Sequence, residues 1–203
     1  MVALDDLEPA RMAKQIDYYF TPTSPWTYLG HDRLVRMALA HGASVAAKPV
    51  DYGAIFPQSG GLPLAKRAPQ RQAYRLSELA RWRDFLGVPL NLKPRFFPTD
   101  PAAAASLVCA APEERRLALA GDFLRAVWTE EKEIADAATV ADIAARHGIG
   151  DPTAAIAAGK AAYERFTQEA LARQVFGAPT YVYRDELFWG QDRLEFLERA
   201  LAR

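Results

Sequence analysis

Sulfur is nearly missing from this chain. Among its 203 residues there is one cysteine, Cys109, so no disulfide can close within it and no redox pair of neighbouring thiols exists. Histidine is as scarce: His31, His41 and His147 are scattered without the spacing of a metal site. Neither sign of charge dominates, since 25 Lys and Arg balance 25 Asp and Glu. A nucleic-acid partner is therefore not expected, because its usual basic footprint is lacking. No apolar run approaches the roughly 20 residues that a membrane-spanning helix needs, and no membrane partner is expected. A phosphate-cradling P-loop, a GxGxxG turn and a GxSxG elbow are absent as well.

What is present is ordinary for a folded protein, with half of the residues hydrophobic and a quarter charged. The length fits one domain, or one domain carrying an insertion. The opening "MVALDDLEPARMAKQ" has acidic residues where a signal peptide would be basic, and no apolar core follows. The expectation is a cytoplasmic protein with a loose first dozen residues. Cys109, within the alanine-rich "AAAASLVCAA", reads as a small buried hydrophobe.

The order of elements follows from periodicity and punctuation. "IDYYF" (16–20) is aromatic and β-branched, hence a strand. Ser24 and Pro25 then form an N-cap with proline at the first helical position, and the helix stops at Gly42. "SVAAKPV" (44–50) completes a right-handed β-α-β crossover. Residues 51–72 are rich in Gly and Pro and read as an irregular surface loop. Helices follow. One through "RQAYRLSELARWRDFLG" presents Leu76, Leu79, Trp82 and Phe85, and another aligns Leu117, Leu124, Val127 and Trp128. Two more start at Asp caps, the second a long one expected to continue until Gly177. "PTYVYRDELFWG" is a hairpin of strands 180–183 and 187–189 joined by "RDE". A final amphipathic helix carries Leu194, Leu197 and Leu201.

This order, β-α-β, helices, β-β-α, matches an α/β thioredoxin-like sheet with an all-helical insertion. Residues 1–50 and 160–203 would form the thioredoxin-like domain, and 51–159 the inserted one. Two separate domains are disfavoured because two strands alone are too few for a stable sheet.

In such a topology the start of the first helix is where an anion is stabilised by unsatisfied N–H groups. Thiol-disulfide enzymes place a Cys-x-x-Cys pair there; here the stretch is "SPWT", Ser24 to Thr27. Without a sulfur at this site, thiol exchange is excluded. Ser24 either only caps the helix or also donates a hydrogen bond to a thiol from outside. Pro179, in "FGAPTYV", either merely starts a strand or forms a cis bond that turns the Ala178 backbone toward that helix. Gln191 and Asp192 start the last helix, where Asp192 either complements the dipole or pairs with an ammonium group. Lys66, Arg67 and Arg71, with Asn91, Lys93 and Arg95, are either a solvated face or a lid over an anion. His31 and Asp32 lie too far along the helix to form a triad with Ser24.

Together "IDYYFTPTSPWTYLG", "FGAPTYV" and "ELFWGQDRLEFL" resemble the 2-hydroxychromene-2-carboxylate isomerase family, which is similar to kappa-class glutathione transferases and to DsbA-like thioredoxin folds. The resemblance runs from about residue 16 to the C-terminus. It implies a glutathione-dependent cis–trans isomerase that acts on 2-hydroxychromene-2-carboxylate or a similar conjugated aromatic pyruvate by reversible thiolate addition. By this likeness Ser24 faces the glutathione sulfur, and the cis-proline falls on Pro179. Ala178 would hold the tripeptide backbone, and Asp192 and Arg193, beside Gln191, the γ-glutamyl end. Lys66 or Arg71 would meet the glycine end, where Gly61 replaces an asparagine of kappa-type members. Trp26, Tyr28 and Asn91 would flank the aromatic carboxylate, with Phe96, Phe97 and Trp189 as further candidates. A homodimer is also implied. The alternatives are a kappa-like transferase for another electrophile and a thioredoxin-like module that binds a peptide without catalysis.

Overall fold

The structure, a computed structural model, describes residues 14–203. The expectation of a loose first dozen residues lies outside that range. Four strands form the sheet: β1 (Gln15–Phe20), β2 (Ser44–Pro49), β3 (Thr180–Tyr183) and β4 (Glu186–Trp189). Their order across the sheet is β2-β1-β3-β4, with β1 and β2 parallel and β3 antiparallel to both of its neighbours. The central strands are apolar because both faces are covered: Ile16, Tyr18, Phe20 and Tyr181 are fully buried. The β3–β4 turn is two residues long, with Arg184 at φ 49° and Asp185 at φ 63°. Those left-handed values give the twist that a two-residue hairpin requires.

Helix α1 (Pro25–Ala40) crosses from β1 to β2 as the spacing predicts. The next segment differs from expectation. Residues 51–72 are not an irregular loop: Asp51 accepts from the Gly53 amide at 2.7 Å and starts α2 (Tyr52–Ser59). Pro57 stands inside it, and in so short a helix that forfeits only one ladder bond. A 3-10 turn (Leu64–Lys66) then leads into α3 (Pro69–Leu86). On α3 only Leu79 is fully buried, whereas Phe85 is exposed, so the three-residue spacing overstated its apolar face.

Helices α4 (Ala102–Ala110), α5 (Glu113–Trp128), α6 (Ala137–Arg146) and α7 (Pro152–Ala172) complete the helical part. Cys109 is buried in α4, as its apolar neighbours suggest. Helix α7 ends short of Gly177. Gln174 turns left-handed at φ 58°, and the Val175 amide returns to the Ala170 carbonyl at 2.9 Å while its side chain enters the core. The last helix, α8 (Leu194–Leu201), follows a 3-10 turn (Gln191–Arg193) and buries Leu194, Leu197 and Leu201.

The residues of β1, α1, α4, α5, α6, β3 and α8 share one hydrophobic cluster, so the sheet and the helical part have a common core. A second cluster joins Tyr19, Tyr52, Ile55 and Phe166, which seats α2 against α7 and the sheet. Ions reinforce that junction. The Lys48 ammonium donates to Glu169 at 2.6 Å and lies 2.8 Å from Asp17, an ionic contact. The Tyr19 hydroxyl also donates to Glu169 at 2.6 Å. Burial raises the Glu169 pKa, yet the hydrogen bonds from Lys48 and Tyr19 outweigh it and hold the carboxyl below its ordinary value.

Lys48→Met removes the cation between Asp17 and Glu169, leaving Asp17 to Arg173 and Glu169 to the Tyr19 hydroxyl and the more distant Arg173, and is expected to cost about 3 kcal/mol at pH 7, read from urea denaturation. Because Glu169 is depressed in the fold, its contribution is full above the unfolded carboxylate range and is lost as pH falls through the folded value. The difference between Lys48→Met and the parent should therefore shrink in acid; a penalty independent of pH would assign the cost to packing alone.

Candidate active site

Between β1 and α1 the chain turns within four residues, and Ser24 organises the turn. Its amide donates to the Thr21 carbonyl at 3.1 Å, and its Oγ accepts from the Thr27 amide at 3.2 Å. The residue is extended (φ −81°, ψ 126°) and 9% exposed, with Pro25 opening the helix. Its oxygen is thus a cap, while its hydroxyl proton has no acceptor among the described residues. The cap and the donor roles are compatible, since they use opposite ends of one O–H group.

Across from it, the Ala178–Pro179 peptide is cis. Three hydrogen bonds fix this bend: Tyr52 Oη to Gly177 O at 2.8 Å, Thr180 Oγ1 to Gly177 O at 2.6 Å, and Gly190 N to Pro179 O at 2.9 Å. The turn Gln191–Arg193 in turn lies directly on α1. A Cβ at Gly30 would meet the Tyr181 hydroxyl at 2.8 Å and the Gln191 Cβ at 2.9 Å, so glycine is what permits the approach. Arg33 Nη1 holds the same turn by donating to Gln191 Oε1 at 2.7 Å and to its carbonyl at 3.2 Å. Asp192 is left at the rim, paired with Arg193 at 2.8 Å.

These pieces enclose a cleft of about 790 Å³, lined among others by Ser24, Trp26, Tyr52, Phe56, Phe97 and Ala178. It adjoins a pocket of about 570 Å³ that reaches Gln191, Asp192 and Arg193. Trp26, Arg67, Arg71, Arg75, Ala178 and Trp189 line both. Each cavity is of the size that takes a small ligand. The acids of the walls are already engaged: Asp51 caps α2, Glu78 pairs with Arg81, and Asp192 pairs with Arg193. Among the described residues no carboxylate pairs with Arg67 or Arg75. Burial, then the neighbouring guanidinium of Arg71, lowers the pKa of Arg67. Burial, then Arg67, lowers Arg75 to about 10. The cleft thus presents guanidinium groups that could receive an anion.

Of the residues that the sequence suggests, Ser24, Trp26, Arg71, Ala178, Gln191, Asp192 and Arg193 line the two cavities, and Pro179 adjoins them at the bend. Lys66, Tyr28 and Asn91 do not line either. Lys66 is exposed on the 3-10 turn; Tyr28 donates to the Pro89 carbonyl at 2.6 Å; the Asn91 amide bonds to the Trp128 carbonyl at 2.8 Å. Phe97 and Trp189 line the cleft and Phe96 does not. At Gly61 a side chain would run into the Phe56 ring. Sequence reading missed Arg75, Tyr52 and Phe56. Arg71 and Arg75, four residues apart, share a face of α3, a spacing the sequence shows, while Arg67 is extended ahead of that helix.

Thr27, the last residue of "SPWT", is fully buried and its hydroxyl has no partner among the described residues. Burial pushes the Cys109 thiol up to about 12, so it is not a thiolate at neutral pH. Among the described residues no group of three His, Cys, Asp or Glu could hold a metal ion. No helix among them is long and apolar enough to cross a membrane.

Gly30→Val tests the seating of the rim turn on α1. It is expected to cost about 2 kcal/mol through overpacking, seen as a lower melting temperature. An unchanged melting temperature would mean that the turn can lift away freely.

Comparison with known proteins places this architecture. Residues 15–202 match the DsbA-like thioredoxin domain. The 2-hydroxychromene-2-carboxylate isomerase of Sphingobium xenophagum is 29% identical, covering 94% of this chain and 99% of that protein. That of Pseudomonas putida is 26% identical, covering 93% and 94%. A solved structure of 2-hydroxychromene-2-carboxylate isomerase superposes with a TM-score of 0.79 at 26% identity, over 93% of this chain and 95% of that one. The fold is that of a thioredoxin-like sheet with a helical insertion, and the chain belongs to the DsbA-like thioredoxin domain family.

Proposed function

We propose that this protein is a glutathione-dependent isomerase of a conjugated aromatic carboxylate, in the manner of 2-hydroxychromene-2-carboxylate isomerase. The observation that carries the reading is a buried serine at a helix start whose hydroxyl proton no described residue accepts, in a cleft to which the chain brings no cysteine. The relatives' names supply the reaction type.

The donor set fits the tripeptide. Asp192 offers a carboxylate for an ammonium group at one end, with Arg193 beside it for the α-carboxylate. Arg67 and Arg71 offer guanidinium groups for the other carboxylate. Ala178, at the bend, presents backbone N–H and C=O groups to an extended peptide. When bound there, glutathione supplies the sulfur nucleophile that adds reversibly to a conjugated double bond and leaves again. The residues of the chain must then stabilise an anion without consuming it. The Ser24 hydroxyl donates toward that charge, and the Trp26 amide together with the dipole of α1 adds partial positive charge, the Thr27 and Tyr28 amides being taken by Ser24. Trp26, Phe97 and Trp189 give the cleft apolar walls on which a flat aromatic substrate can stack and from which water is displaced. No step changes oxidation state, in keeping with a site that has no cysteine.

Ser24→Ala is expected to lower kcat by about 100-fold while leaving the melting temperature within a few degrees. Full activity in that variant, assayed with a hydroxychromene carboxylate and glutathione, would reduce Ser24 to a cap. Asp192→Asn is expected to raise the KM for glutathione about tenfold with little change in kcat, since it removes a contact made equally in ground and transition states. If calorimetry detects no glutathione binding at millimolar concentration, the reading gives way to a peptide-binding module without catalysis.

A further inference from the structure

Among the described residues, Arg75 is the cleft-lining guanidinium that lies against a pair of aromatic rings, Phe97 and Trp128, which themselves pack 4.8 Å apart. Its Cζ lies 5.4 Å from the centroid of Phe97 and 5.9 Å from that of Trp128. It lines both cavities, and neither a side-chain hydrogen bond nor an ion pair engages it among the described residues. Arg67, by contrast, already donates to the Leu62 carbonyl at 2.8 Å. A half-buried cation beside aromatic rings is costly unless an anion completes it. Its surroundings specify the anion. A guanidinium is a rigid planar fork, so Arg75 favours a planar, two-oxygen acceptor. The neighbouring ring surface favours an acceptor attached to an aromatic or conjugated body.

We infer that Arg75 is the anchor for the carboxylate of the aromatic substrate, while Arg67 and Arg71 remain for a second carboxylate in the same cleft. This rests on the reading of the site given above as one that takes glutathione and an aromatic acid together. Arg75 thereby sets specificity: it selects acids over their neutral analogues and orients the conjugated bond by holding one end of it. The cleft's three arginines, which have no acidic partner among the described residues, then correspond to two separate carboxylates, one from each ligand.

The experiment uses the purified full chain and calorimetry with three probes: cinnamate, its neutral isostere cinnamamide, and glutathione. The parent is expected to prefer cinnamate to cinnamamide by about 10- to 100-fold, the range of a charge-assisted hydrogen-bond pair. Arg75→Met should abolish that preference and leave glutathione affinity within about twofold; Arg75→Lys, which keeps the charge without the fork, should retain part of it. Retention of the full preference in Arg75→Met overturns the inference. So does loss of glutathione binding with the cinnamate preference intact, which would assign Arg75 to the tripeptide. Should Arg75→Met fail to fold, Arg75→Lys decides, since an undiminished preference there refutes a role for the fork. If the parent binds cinnamate through Arg75 yet takes no glutathione, the anchor stands and the proposed function falls. If it binds glutathione and treats both cinnamyl probes alike, the reverse holds.

Discussion

The hydrogen bond from the Thr27 amide to the Ser24 oxygen governs the site, because it decides which end of the Ser24 hydroxyl faces the cleft. With the oxygen turned to the helix at 3.2 Å, the proton is free to point outward. Pro25 contributes by fixing the first helical residue without needing a hydrogen bond for its own nitrogen. A serine that capped the helix through a different rotamer would offer nothing to a ligand. A cysteine in its place would be a nucleophile in itself, and the chemistry of the fold would become redox chemistry.

The remaining structure keeps that hydroxyl opposite its proposed partners. Residues 24 and 178 are separated by more than 150 positions, and they meet only because β1 and β3 are adjacent in the sheet. Gly30 and Arg33 then bring the rim turn down onto α1, which sets Asp192 at the far end of the same cavity system. The helical part closes the other side. Helix α2 is seated on α7 through the second cluster, and α3 presents its arginines inward. Lys48 joins β1, β2 and α7 at their junction, so the platform beneath α2 is held by ions as well as by apolar contact.

Much of this was readable from local sequence. The aromatic run of β1, the Ser-Pro cap, the glycine after α1 and the leucine stripe of α8 each follow from short-range rules, and the sheet order follows from their succession. What failed had long-range causes. Residues 51–72 looked like a loop because their Gly and Pro content outweighed the Asp51 cap, while packing of Tyr52 and Ile55 on the second cluster is what stabilises α2. Phe85 has a core residue's chemistry, but α3 turns it outward. Among the cavity-lining residues, those near strand ends and helix starts, such as Ser24 and Ala178, were legible, since punctuation marks those places. Arg75 was not, because nothing in its sequence neighbourhood tells that Phe97 and Trp128, from two other segments, will lie beside it.

The account turns on an anion being stabilised where the chain itself provides none. The most direct measurement is an ultraviolet titration of the thiol of glutathione bound to the protein, in the parent and in Ser24→Ala. The account predicts a pKa pulled well below the roughly 8.5 of a free cysteine-type thiol in the parent, and its return toward that value when the hydroxyl is removed. Equal pKa values in the two proteins, or a bound thiol that titrates as it does in water, would contradict it.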